Sequence, residues 1–128
     1  MADRLLFDTT ILVDHLRGNE RARRYIKSVP ETKCISVITR AELFAGVFDA
    51  DEQAKVEALL SVFRVYDVTS RIAEQGGYFK RDFQPSHGTG LADALIAATA
   101  DVQNARLVTL NVKHFPMLDD VIVPYRPA

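Results

Sequence analysis

The sequence predicts an α/β fold with a mainly parallel sheet, and three observations carry that prediction. Short apolar runs alternate with stretches of helical periodicity along the chain. Those runs have the length and composition of buried strands. No repeat, low-complexity tract or linker interrupts the alternation. Right-handed crossovers between such strands put helices on both faces of the sheet.

Each element follows from local pattern. Leu5-Leu6-Phe7 is the first strand and stops at Asp8-Thr9-Thr10; Ile11 to Leu16 reads as a helix ending at Gly18. From Glu20 to Val29, residues Ala22, Tyr25, Ile26 and Val29 fall at i, i+3, i+4 and i+7, one stripe of an amphipathic helix that Pro30 closes. Lys33-Cys34-Ile35 is the second strand. Val37, Ala41, Phe44 and Phe48 mark the next helix, with Leu43 off its main stripe, and Val56, Leu59, Leu60 and Phe63 mark the one after. Val65 to Val68 is the third strand, followed by a helix carrying Ile72, Gly76, Phe79 and Phe83. Gln84 to Gly90 holds a proline and two glycines, which predicts a break. The helix Gly90–Ala100, the strand Arg106–Leu110 and a tail containing Val121-Ile122-Val123 complete the chain.

At 128 residues the expectation is one domain, 1–128, with a sizeable core. The composition, 48% hydrophobic and 26% charged, is that of an ordinary soluble chain. A net charge of −1 carries no global basic signature, so any nucleic acid must be held by a local basic patch. Cys34 is the single cysteine, which excludes an internal disulfide and a cysteine-only zinc cluster. No run reaches the length of a membrane span, and MADRLLFDTT does not read as a signal peptide. The default setting is a reducing cytoplasm.

Ligands of open parallel sheets collect beyond the carboxyl ends of the strands. Asp8 follows the first strand, Glu42 lies in the helix after the second, Asp93 opens the helix before the last, and Asn111 follows that last strand. Hard divalent cations such as Mg²⁺ or Mn²⁺ want this kind of oxygen shell. Asp8 also suits an N-cap, and Thr39-Arg-Ala-Glu42 fits a capping box. Ser36 starts that helix more naturally, however, and leaves Glu42 roughly 120° from the centre of its apolar stripe. Asp93 stands in GLADALIAATA, a helix with scarcely a polar face. The helix dipole favours a first-turn acid by only about 0.3–1 kcal/mol, too little to offset desolvating a carboxylate. Two carboxylates about 5 Å apart repel by roughly 3 kcal/mol at an effective dielectric of 20. Three held together need a cation or a proton, and a metal site is therefore expected.

Taken in order, LLFDTTILVDHLRG, SVITRAELFAG, GLADALIAATA and LVTLNVKHF resemble the motif blocks of PIN-domain ribonucleases, and more narrowly the VapC-type toxins of toxin–antitoxin pairs. The resemblance runs from Leu5 through Phe115. It implies a three-layer α/β/α fold with a short, twisted, mainly parallel sheet. It implies a Mg²⁺- or Mn²⁺-dependent endoribonuclease acting on structured RNA of the tRNA or rRNA class, a homodimer, and a cognate antitoxin whose tail lies across the active-site groove. By position, Asp8, Glu42 and Asp93 match the family's acidic triad, while Thr9 and Thr109 match hydroxyl residues near the site. Asn111 stands where many members have Asp; its amide offers a carbonyl oxygen but no charge.

The chemistry this implies is metal-assisted hydrolysis leaving a 5′-phosphate and a 3′-hydroxyl. Asp8 and Asp93 are the expected ligands, and Glu42 is either a ligand or an orienter of water. Among cations, Arg40 and Lys113 stand nearest in sequence to Glu42 and Asn111 and are the expected substrate contacts. Arg17, Arg21, Arg23, Arg24 and Lys27 cluster around the second helix, where arginine-rich stretches serve more often as solvated faces than as RNA sites. Other classes compete. A haloacid-dehalogenase-like phosphatase needs an acid two positions after Asp8, where Thr10 stands. A metal-free nuclease needs paired histidines, and spacing pairs none of His15, His87 and His114. A non-catalytic RNA- or protein-binding module would use the acids only at helix ends.

Overall fold

The computed structural model describes residues 3–126 of the chain. The elements run β1 (Arg4–Phe7), α1 (Thr9–Leu16), α2 (Glu20–Ser28), β2 (Thr32–Ser36), α3 (Val37–Ala45), α4 (Ala50–Leu60), β3 (Arg64–Tyr66), α5 (Ser70–His87), α6 (Leu91–Val102) and β4 (Arg106–Val108). A single 3₁₀ turn, Val112–His114, follows β4. The four strands pair in the order β3-β2-β1-β4, all parallel.

Alternation along the central strand divides the interior. Leu5 and Phe7 point into a core built with Ile11, Leu12, Ile26, Leu43 and Leu60 of α1 to α4. Leu6 points the other way, into a core with Ile96, Ala97, Leu107 and Phe115. Because Leu5, Leu6 and Phe7 are all buried, on one face or the other, this part of the strand reads as a continuous apolar run, as expected of a parallel sheet covered on both sides. The result is the expected three-layer α/β/α arrangement.

Several boundaries differ from expectation for physical reasons. The break expected over Gln84–Gly90 is shorter, confined to residues 88–90: α5 runs through Pro85 and stops only at Gly88, whose φ of +69° caps the helix in the left-handed region. Pro85 sits within that last turn, where it forgoes one bond, to the carbonyl of Arg81, and leaves the rest of the helix intact. On α3, Thr39 and Leu43 rather than Val37 and Ala41 are buried, and Phe48 lies beyond the helix, 91% exposed. Ser36 caps α3 by accepting from the Ile38 amide at 3.0 Å, so Thr39 is not a cap and the capping-box alternative for Glu42 falls. The tail is more than an appendage: Ile122 bridges Val108 in parallel, and the Thr109 amide donates to its carbonyl at 3.0 Å. Among the described residues, no helix is long and apolar enough to cross a membrane.

The topology fixes the location of a site. From β1 the chain moves through β2 to β3 on one side, then returns through α5 and α6 to β4 on the other. The sheet order reverses beside β1, and the carboxyl ends of β1 and β4 face a crevice there.

Candidate active site

At that edge the Asp8 amide donates to the Val108 carbonyl at 2.8 Å, which holds the start of α1 against the end of β4. Asp8 is the N-cap of α1 and is buried, 3% exposed. Its carboxylate accepts from the Thr9 amide at 2.8 Å, from the Thr109 hydroxyl at 2.7 Å and from the Thr10 hydroxyl at 3.3 Å. Thr109 is itself fully buried, and its oxygen also accepts from the Asn111 amide at 2.9 Å. Asp8 thus caps α1 and lines the crevice at once.

Glu42 lies on the exposed shoulder of α3, where the Thr9 hydroxyl donates to it at 2.5 Å and also meets the Thr39 hydroxyl at 3.0 Å. Asp93 lies in the first turn of α6, half-buried, with its Oδ2 3.2 Å from His114 Nδ1. The imidazole edge meets that carboxylate without the alignment of a hydrogen bond. A groove of about 530 Å³ is lined by Asp8, Thr9, Glu42, Asp93 and Asn111, together with Asp14 and Arg17 at the end of α1.

Electrostatics follow from this placement. Burial pushes the Asp8 carboxyl above the usual carboxylate range; the Thr109 hydroxyl pulls it back, and the charge on Asp93 adds to the push. Burial also raises Asp93, against the draw of the His114 imidazole. Among the described residues, no three histidine, cysteine or acidic side chains stand close enough together to hold a metal ion between them. The acids line one groove, but Glu42 turns to Thr9 and Asp93 to His114. Like charges in a desolvated groove separate onto whatever donors are near.

The remaining expected residues divide. Thr9, Thr109 and Asn111 stand at the site. Arg40 is exposed, with its guanidinium 4.9 Å from the ring centroid of Phe44 on its own helix, and it does not line the groove. Lys113 is exposed on the 3₁₀ turn and does not line it either. Sequence reasoning did not place Thr10, Asp14 or His114 at the site, and it weighed Arg17 only as one of the cations around the second helix. Thr10, Asp14 and Arg17 stand on or just past the helix that Asp8 caps, so its N-terminal placement was the available signal. His114 lies three residues beyond Asn111, but its partner Asp93 is distant in sequence.

A family model described as the PIN domain matches residues 5–119. Ribonuclease VapC10 of Mycobacterium tuberculosis is 44% identical over 124 residues, covering 94% of this chain and 92% of the relative. Ribonuclease VapC19 of the same species is also 44% identical, covering 94% and 98%. Among solved structures, a toxin–antitoxin complex from Klebsiella pneumoniae superposes with a TM-score of 0.83 at 30% identity, covering 96% of this chain and 99% of the other. With the family model spanning all of the groove's carboxylates, the chain belongs to the PIN domain family.

Proposed function

We propose that the chain is a Mg²⁺- or Mn²⁺-dependent endoribonuclease toxin of the VapC type, working as one PIN-like domain in the cytoplasm and held in check by a cognate antitoxin. Its substrates are structured RNAs of the tRNA or rRNA class, and it works as a homodimer. The observation that carries this reading is the meeting of Asp8 and Asp93, 85 residues apart in sequence, in one groove at the sheet's switch point, with both carboxyls pushed up by burial. The relatives named ribonuclease and the toxin–antitoxin complex of like fold support the same reading.

The donor set is made of carboxylate, hydroxyl and amide oxygens, which suits a hard divalent cation. Asp8 and Asp93 would hold it, with the Asn111 carbonyl oxygen beside them. When bound, the ion supplies an acidified water and neutralises charge on the phosphoryl oxygens. The residues of the chain do the rest. Thr109 and Thr10 fix the Asp8 carboxylate by donating to it. His114 holds the outer side of Asp93. Glu42, engaged through Thr9, is placed to orient water toward the phosphorus and to accept its proton. Water adds at phosphorus, the bond to the 3′-oxygen breaks, and that oxygen takes a proton from solvent and leaves as a hydroxyl. A 5′-phosphate results.

The test is to express the chain with and without a candidate antitoxin and to map RNA ends. Growth arrest with discrete 5′-phosphate cuts is expected, absent in Asp8→Asn and in excess chelator. Cyclic-phosphate ends that persist in chelator would overturn the metal route, and cleavage by Asp8→Asn at the wild-type rate would remove Asp8 from the chemistry.

A further inference from the structure

Beside the acid groove lies a second hollow, of about 570 Å³, between α2 and the tail. Its walls are Tyr25, Pro124 and Tyr125, and its rim carries Arg21, Arg24 and Lys27. The rings are partly buried while the three cations are exposed. Among the described residues none of these cations pairs with a carboxylate within 4 Å, whereas Lys55, Arg81 and Arg106 all do. Arg21 instead lies over the Tyr125 ring, 5.4 Å from its centroid.

The two hollows share a wall. The Tyr125 hydroxyl donates to Asp14 at 2.8 Å, and Asp14 and Arg17 both line the acid groove. Arg21 and Arg24, three residues apart on α2, share one side of that helix, and Arg17, just before the Gly18 turn that leads into it, lines the acid groove. Among the described residues, cations without a carboxylate partner thus stand both at the acid groove and at the rim of the cleft walled by aromatic rings.

The geometry points to this cleft as a binding site for single-stranded RNA flanking the scissile bond, with phosphates on Arg21, Arg24 and Lys27 and a base stacked on Tyr125. Cations that track a backbone beside aromatic platforms are the chemistry of sequence-tolerant single-strand binding. An acidic peptide would also meet the cations, but a flat aromatic face beside a run of cations is the contact a nucleobase and its phosphates make together, so RNA is the occupant the walls favour. This inference deepens the ribonuclease reading by supplying the hold on substrate that Arg40 and Lys113, both outside the groove, do not supply.

The experiment separates binding from cleavage. In an Asp93→Asn background, a fluorescein-labelled oligouridylate is titrated by anisotropy over a range of salt, with unfolding midpoints checked for each variant. Arg21→Gln/Arg24→Gln is expected to weaken binding tenfold or more and to flatten the slope of log K against log salt by about 1.4, two phosphate contacts at about 0.7 each. Tyr125→Leu is expected to weaken binding several-fold without changing the slope, Tyr125→Phe to bind nearly as wild type, and the control Lys55→Gln to leave both quantities unchanged. In the cleaving protein, the arginine pair should raise KM with little change in kcat. Unchanged affinity and slope in the arginine variant would overturn the site, as would loss of poly-glutamate binding with RNA binding intact, which marks a protein-docking surface. Tight RNA binding lost in the arginine variant, in a protein that never cleaves, would uphold the site while the ribonuclease reading fell.

Discussion

Thr109 joins three parts of the molecule through one oxygen. Its hydroxyl donates to Asp8, accepts from the Asn111 amide, and is itself sealed from solvent. Thr109→Val keeps the shape and removes both bonds, leaving a buried carboxylate without its best donor. A loss of about 1–3 kcal/mol in stability at pH 7 is expected, with kcat lowered tenfold or more as the Asp8 carboxylate loses its fixed orientation. Denaturant titration and single-turnover cleavage check the two parts; a Thr109→Val protein with wild-type kcat would show that the hydroxyl does not position Asp8. Asp8 and Asn111 were legible because strand ends can be read locally and parallel sheets gather ligands there, whereas Thr109 was marked only by the family resemblance. Asp14 and His114 were not legible. Asp14 meets Tyr125 across 111 residues, and no local pattern encodes such a contact.

Two adjacent glycines on α5 show how an element can carry opposite demands at neighbouring positions. A Cβ at Gly76 would stand 2.7 Å from Leu95 Cδ2 and 3.3 Å from the Leu95 Cα, whereas one at Gly77 would meet nothing within 4 Å. Gly76 is therefore a point of close approach between α5 and α6, the helix that carries Asp93. Gly76→Leu is expected to cost about 1–3 kcal/mol or more through overpacking. Gly77→Ala should stabilise by about 1 kcal/mol through helix propensity alone. Urea midpoints of the two variants should move in opposite directions, and a stabilised Gly76→Leu protein would disprove the close approach. The periodicity of Ile72, Gly76, Phe79 and Phe83 marked this face in the sequence. The end of α5 was misplaced because Pro85 and Gly90 compete with Gly88 as stop signals, and only a left-handed φ distinguishes the true one.

At the scale of the whole molecule, the order β3-β2-β1-β4 converts remote acids into neighbours, and the fold bears an electrostatic cost for it. The alternation of strands and helices made the sheet and its ligand edge legible. The partner each acid takes was not, because hydroxyl and imidazole neighbours arrive only with tertiary packing. Asp8 and Asp93 both have carboxyls raised above their ordinary value of 3.8, chiefly by burial. The folded state therefore holds their protons more tightly than the unfolded chain does. Their contribution to stability is complete below pH 3.8 and is lost as pH rises through the raised values. Asp8→Asn/Asp93→Asn removes this titration. In chelator, the double variant should unfold at a higher temperature than wild type at pH 7, and the gap should narrow as pH falls toward 4. Mn²⁺ should then raise the wild-type midpoint at pH 7 and leave the double variant where it was, since only the form that binds the ion gains from it. Melting curves that run parallel for the two proteins across this range, with no response to Mn²⁺ in either, would mean that the groove neither strains the fold nor takes a cation.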